Sequence, residues 1–444
     1  MNITQSESLV NRIYTRQVRT VLVLIQLVFL YLPQLMLFSI PTDNGPIPAS
    51  LCYFAALLFA PYLLANLRRL KWPRWYLLGF FLFVFVWAAV QMPRYGLSKS
   101  ILHWAFAFYL FVMLPNVGHD FSKERWLGLL EAGACIFAVL HVINTICHPQ
   151  IFLDLLEGYF NGSGNGYYAS LIPSLTRGGR NLDATWLALG AFFVRGRKKA
   201  LYATYVLLFS FVASSRVGII AIGFVMLWSL FYDPMYRLTL RNLKWYLLYA
   251  IVILAILIFS GTAQGLLSRI GIHLPTPAQL FGMVTQEQAQ MMAAGLPSTG
   301  FLSGRESMWS LAPEAFMNNP FGYGVGNAMR VLRAEYGFSS YEDVMHNVFM
   351  QLALDEGIIG IAWFVAMAVL FAVSQWKLRP RFLEKPIAAY FFTYPVLSLV
   401  QFHGGEALMH FTMAIGMACP VLLYAKEGKD VCEATMPEGE RSKE

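Results

Sequence analysis

Hydrophobic runs recur along almost the whole chain, and short loops rich in Lys and Arg separate many of them. A hydrocarbon core of about 30 Å needs roughly 20 apolar residues in helical form. Only helices and closed barrels satisfy their own backbone groups where water is absent. Twelve such runs can be marked, at 20–40, 50–67, 75–92, 100–116, 126–146, 182–194, 200–213, 217–232, 245–263, 357–376, 387–402 and 406–424, the sixth and seventh being short. Composition agrees, since hydrophobic residues make up 57% of the 444 and charged ones 13%, at a mean hydropathy of +0.53. A soluble domain carries about twice that charge. The expected fold is an all-α integral membrane protein with about 12 transmembrane helices.

Lys and Arg near span ends stay on the cytoplasmic side. Arg68, Arg69, Lys71 and Arg74 mark one such loop, Arg195, Arg197, Lys198 and Lys199 a second, Arg237, Arg241 and Lys244 a third, and Lys377, Arg379, Arg381 and Lys385 a fourth. All four fall on one face together with both termini. The opposite face receives two long segments, 147–181 and 264–344, and the turn Ser214-Ser215-Arg216. The net charge of +8 is therefore topological. Nothing groups basic residues with aromatics on a soluble face, so nucleic acid is excluded as a partner. The first run is read as an uncleaved anchor. The five cysteines imply neither a disulfide framework nor a zinc site.

The larger outer segment is too long for a connector, so it should fold as a helical cap between spans 9 and 10. Helices are expected at 276–295, at 305–318 ended by Asn318-Asn319-Pro320, at 327–336, and at 342–354 starting on Glu342-Asp343, with His346 and Asn347 in its first turns. The domain plan is spans 1–9 over 1–263 with a small outer segment at 147–181, the cap over 264–356, spans 10–12 over 357–426, and a tail over 427–444.

Arg216 runs against the positive-inside bias: it either snorkels to the interface or clamps an anion. Arg305 beside Gly304 has the same choice between a surface ion pair and a phosphate. Two guanidinium groups, each donating paired hydrogen bonds, suit a pyrophosphate. His346 is the residue type suited to take a proton near neutral pH, with His403 beside Glu406 as a second candidate. His103, His141 and His410 lie in or near spans and read as packing or hydrogen-bonding residues. The glycines at 322, 324 and 326 lack dinucleotide spacing. They make either a tight turn or a concavity whose N–H groups hold phosphate. Arg180 and Arg177 in TRGGRNLDAT are further phosphate candidates. No Asp-x-Asp element lies outside, so neither metal nor cofactor is expected. Glu131 and Glu406 are the acids that would matter in a transporter.

The motifs SSR-V-G at 214–218, GR…W at 304–309, F-x-x-NP-x-G-x-G-x-G at 316–326 and HN…Q…DEG-x-x-G at 346–360 resemble those of the O-antigen ligase and polymerase family of bacterial envelope enzymes. The resemblance implies a GT-C-like glycosyltransferase of the bacterial inner membrane, working on the periplasmic face. Its donor would be a glycan on undecaprenyl pyrophosphate and, for a ligase, its acceptor lipid A-core. Membrane lipids surround it, and other O-antigen export components are an open partner class. Arg216 and Arg305 would hold the pyrophosphate and His346 would act on the acceptor. Arg180, Ser215, Gly304, Gly324 and Asn347 complete the expected substrate-binding set. The family pattern has Pro-Asn where this chain has Asp183 and Ala184.

Hydroxyl attack on an anomeric carbon needs a base and positive charge on the departing diphosphate. His346 can supply the first, Arg216 and Arg305 the second. The cap offers no obvious carboxylate nucleophile, so a single, inverting displacement is expected. An O-antigen polymerase with the same donor stays open. So does an oligosaccharyltransferase, disfavoured by the short tail, and a polytopic transporter, disfavoured by the lack of an internal repeat.

Overall fold

The computed structural model describes residues 9–32, 35–40, 47–72, 75–96, 100–149, 174–175, 180–213, 215–259, 305–337, 345, 347–362 and positions 365, 366, 369, 386, 389, 390, 393, 396 and 397. Gly304, His346, most of spans 10 and 11, span 12, the tail and the expected helix at 276–295 lie outside the described residues.

Helices dominate. In chain order they are α1 (Arg16–Leu30), α2 (Leu51–Leu57), α3 (Ala60–Ala65), α4 (Trp75–Tyr95), α5 (Ser100–Val117), α6 (Lys123–Ile146), α7 (Arg180–Gly190), α8 (Lys198–Val212), α9 (Arg216–Tyr232), α10 (Leu240–Phe259), α11 (Arg305–Asn318), α12 (Ala328–Glu335) and α13 (Val348–Asp355). They occupy parts of the first nine predicted spans. Among the described residues only Glu124–Ile146 is both long and apolar enough to cross a membrane alone, while Phe81–Tyr95, Ile101–Val117, Arg216–Tyr232 and Asn242–Ala255 are shorter apolar helices.

Two departures from the sequence reading have local causes. The first run is not helical throughout: α1 stops at Leu30, and Met36–Ile40 (β1) pairs antiparallel with Ile47–Ser50 (β2). Pro33 and Pro41 lack the N–H that continuation of a helix requires, so the fold is helical with one small hairpin instead of all-α. The sixth run yields α7, whose 11 residues rise only about 16 Å. Its segment from Leu182 to Gly190 is buried throughout, which suits a short core helix better than a lipid-facing one.

The chain divides into two compact units, Met1–Leu130 with Ser307–Glu444, and Glu131–Glu306. In the second unit α7, α8 and α9 pack together. A Cβ on Gly218 would come within 2.5 Å of the Ala184 Cβ, and the rings of Phe192 and Trp228 lie 5.6 Å apart. Early residues meet early and late meet late, so α7 and α9 run in the same direction. Small residues at their first turns let the backbones approach closely. Glu131 bonds Arg195 at 2.9 Å and lies 3.7 Å from Lys198. The acid singled out as a transport candidate is thus neutralised by the basic loop 195–199.

In the first unit, a core of Tyr95, Ala312, Ala315, Tyr323, Met329 and Leu332 joins α4 to the cap helices. The expected helices at 305–318 and 327–336 are present as α11 and as α12, with Asn327 and Tyr336 as its caps. The fourth starts later than expected, at Val348. The Asn347 side chain accepts from Phe349 N and Met350 N, ending the non-helical stretch there.

Gly322 and Gly357 adopt φ of +84° and +71°, and each lies against the other's strand of chain. A Cβ on Gly322 would sit 2.6 Å from Asp355 O and Gly357 N, and one on Gly357 2.4 Å from Pro320 O. Gly337 has φ +66° with nothing within 4 Å. Gly337→Ala should therefore cost only backbone strain, about 1 kcal/mol, whereas Gly322→Ala adds a backbone clash. We expect a distinctly larger fall in Tm for Gly322→Ala, read by thermal unfolding in detergent.

Candidate active site

Arg180, Arg216 and Arg305 are each the first residue of a helix, α7, α9 and α11. A helix start already carries about half a positive charge and unsatisfied N–H groups. Placing an arginine there costs roughly 0.3–1 kcal/mol unless an anion arrives, and such a terminus is a ready anion socket. For α7 and α9, the parallel packing brings two such starts side by side in one unit. Ser215 is fully buried and caps α9, its Oγ accepting from Gly218 N at 3.1 Å. The motif serine thus fixes the helix start on which Arg216 sits.

Asp183, in the first turn of α7, is completely buried. Its carboxylate accepts from Ser174 Oγ at 3.0 Å and Leu175 N at 2.9 Å, tying the preceding segment to the helix. His141 Nε2 lies 3.5 Å from Oδ2, within ion-pair range but without hydrogen-bond geometry, and Nδ1 is 2.6 Å from Tyr205 OH. Sequence reasoning gave His141 a hydrogen-bonding role. It missed that Asp183 is the other half of the cluster, because 42 residues separate them and neither lies in a shared local motif. This cluster holds the α7 start that carries Arg180.

The first unit carries the remaining candidates. Asn347 is buried and its side-chain oxygen is engaged as the cap of α13. Just upstream, Met345 donates N–H to Gln351 Oε1 and accepts from Trp309 Nε1, both at 2.9 Å. The tryptophan of GR…W is therefore bonded to the residue before His346, and the two neighbours of His346 in sequence are both fixed.

The glycine turn docks on the end of α13. Tyr323 N donates to Leu354 O at 2.7 Å, Gly324 N to Asp355 O at 2.8 Å, and Ile358 N to Pro320 O at 2.9 Å. The Asp355 carboxylate accepts from Ala328 N at 2.9 Å and from Gln351 Nε2 at 2.7 Å, with the N–H of Gly326 close by, while Asn327 N donates to Gly324 O at 3.0 Å. The glycines make a tight turn, as one of the two readings had it, with N–H groups gathered near an anion. That anion is the chain's own Asp355. The N–H of Gly324, read as a substrate contact, is committed to Asp355 O.

Glu356 follows, 1% exposed, with Oε2 lacking a hydrogen-bond partner among the described residues. Gly360 leaves it room: a Cβ there would sit 2.7 Å from Oε2. Burial pushes Asp355 up to about 6, offset by its donors, and burial beside Asp355 pushes Glu356 up to about 8. Its donors favour the ionised form of Asp355, and burial beside that charge favours the protonated form of Glu356.

Residues 201–365 match a family model described as O-antigen ligase. This match supports an O-antigen ligase/polymerase family member. The matched stretch runs from α8 through α13 and includes Ser215, Arg216, Gly304, Arg305, Gly324, His346 and Asn347, while Arg180 precedes it. No curated protein matches the chain. The match covers less than half of the chain, and the apolar helices fit a membrane protein.

A carboxyl whose folded pKa lies above its ordinary value stabilises the fold below that ordinary value and loses the contribution as pH rises through the folded one. For Glu356 the window runs from 4.5 to about 8. Wild-type Tm should fall across it. Glu356→Gln, neutral at every pH, should flatten that slope and unfold at higher temperature than wild type at pH 8, measured by thermal unfolding in detergent from pH 5 to 8.

Proposed function

We propose that the protein is an O-antigen ligase that moves O-antigen polysaccharide from undecaprenyl pyrophosphate to a sugar hydroxyl of lipid A-core, in lipopolysaccharide biosynthesis. The observation that carries this reading is the arginine at the first position of α7, α9 and α11. The family match over 201–365 supports it. An anionic diphosphate suits such helix starts.

His346 takes the proton of the acceptor hydroxyl as its oxygen attacks the anomeric carbon. The bond from that carbon to the pyrophosphate oxygen breaks, and its electron pair leaves on the diphosphate. Arg216 and Arg305, with Arg180 beside Arg216, stabilise the growing negative charge, so transfer needs no metal. One displacement inverts the anomeric centre. Asn347 and the Trp309 bond to Met345 position His346. Ser215 and the Asp183 cluster position the arginines, while Gly304 and Gly324 shape the chain around the site. In this reading the enzyme has its periplasmic face at the helix starts and its termini in the cytoplasm, with about twelve spans and the cap at 264–356.

The test uses purified full-length protein in detergent, undecaprenyl-pyrophosphate glycan, lipid A-core and a chelator. We expect gel-shifted lipid A-core from wild type. His346→Ala should lower the rate about 10²–10⁴-fold, and Arg216→Ala or Arg305→Ala about 10²–10³-fold. Lengthening of the lipid-linked glycan in place of the shift would identify a polymerase. Unchanged rates in both arginine variants would remove the clamp.

A further inference from the structure

The closure between the glycine turn and the end of α13 contains a carboxyl that it does not satisfy. Three backbone bonds make the closure: Tyr323 N donates to Leu354 O at 2.7 Å, Gly324 N to Asp355 O at 2.8 Å and Ile358 N to Pro320 O at 2.9 Å. Inside it a Cβ on Gly322 or on Gly357 would come within 2.6 Å of the facing backbone. Segments packed this closely leave no room for a water between them.

Glu356 lies in sequence between the acceptor Asp355 and the donor Ile358. It is 1% exposed, and its Oε2 has no hydrogen-bond partner among the described residues. Asp355 beside it differs in kind, since Ala328 N and Gln351 Nε2 hold its carboxylate. A carboxyl buried without donors is stable there in its neutral form, because an unpaired buried charge is costly. The turn carries Tyr323, α11 Glu314, α12 Arg330, Arg333 and Glu335, α4 Arg94 and Tyr95, and α5 His103. The charge that acts on Glu356 is that of Asp355, which opposes ionisation, and no cation among these groups offsets it.

We propose that Glu356 is a proton-controlled latch: with its proton the glycine turn stays docked on α13, and on losing it the closure opens so that water reaches the new carboxylate. The proton passes to solvent and leaves two neighbouring carboxylates, of which Glu356 has no donor in the closed form. Opening frees the far end of α13, whose near end leads back to His346 in sequence. Where the transfer reading above holds, proton loss therefore also slows glycan transfer.

The closed form keeps the proton up to about pH 8 and a solvated Glu356 only to 4.5, so the opening constant rises about tenfold per pH unit between these limits and levels off above them. Asp355, at about 6, adds to the lower part of that range.

Hydrogen exchange of the full-length protein in detergent tests the latch from about pH 6.5 to 8, read by mass spectrometry on peptides covering 320–328 and 354–360 and corrected for the chemical exchange rate. In wild type the opening constant should rise about fivefold or more from pH 6.5 to 7.5. Glu356→Gln should stay level, and α6 peptides should show no such rise in either protein. A flat wild-type response overturns the proposal without any variant, and so does an equal rise in wild type and Glu356→Gln. Transfer assays with donor and lipid A-core give a second readout, in which the rate of Glu356→Gln relative to wild type should rise with pH. A constant ratio overturns the link to transfer. Absence of transfer by both proteins removes the ligase reading instead, and the exchange result then decides the latch by itself.

Discussion

A buried carboxylate, Asp355, holds together the part of the chain richest in motifs. Burying an ionised group is costly unless donors replace its water. Here the Ala328 N–H and the Gln351 amide do so, with the N–H of Gly326 close by. That requirement forces the chain at 322–326 into a tight, positive-φ path, and glycine is the residue that follows such a path without strain. The same docking closes Gly322 onto Gly357 and leaves the helix α13 with its far end fixed. Asn347 fixes the near end. The helix is thus clamped at both ends.

The second unit solves a different electrostatic problem. Two parallel helix starts side by side repel any cation placed on them, and α7 and α9 each begin with one. Asp183 relieves part of this within α7, but its carboxylate is already occupied by Ser174, Leu175 and the nearby His141. Gly218 contributes by absence: any side chain there would push α7 away and separate the two starts.

Much of this was legible along the chain. The arginines stood out because they broke the charge bias of the loops, and the end of α11 followed from Asn-Asn-Pro. The histidine and the glycine turn were visible as motifs. What was not legible is which motif serves which. FGYGVGN offered a phosphate cradle or a simple turn, and only the 30-residue return to Asp355 decided that the cradle is filled from within. Likewise Glu131, an isolated acid in sequence, met Arg195 only through a contact 64 positions away.

The sequence by itself pointed to the solvent: hydrophobic run length selects helices for a bilayer, and basic loops set the expected sidedness, both through one-dimensional properties. It also determined where helices stop, since proline and asparagine act on their immediate neighbours. Tertiary structure alone decided that α7 is a short buried helix and that Asp355 faces the N–H groups of the glycine turn. Those outcomes depend on which distant groups satisfy a buried charge or fill a packed interface, and no local periodicity encodes that choice.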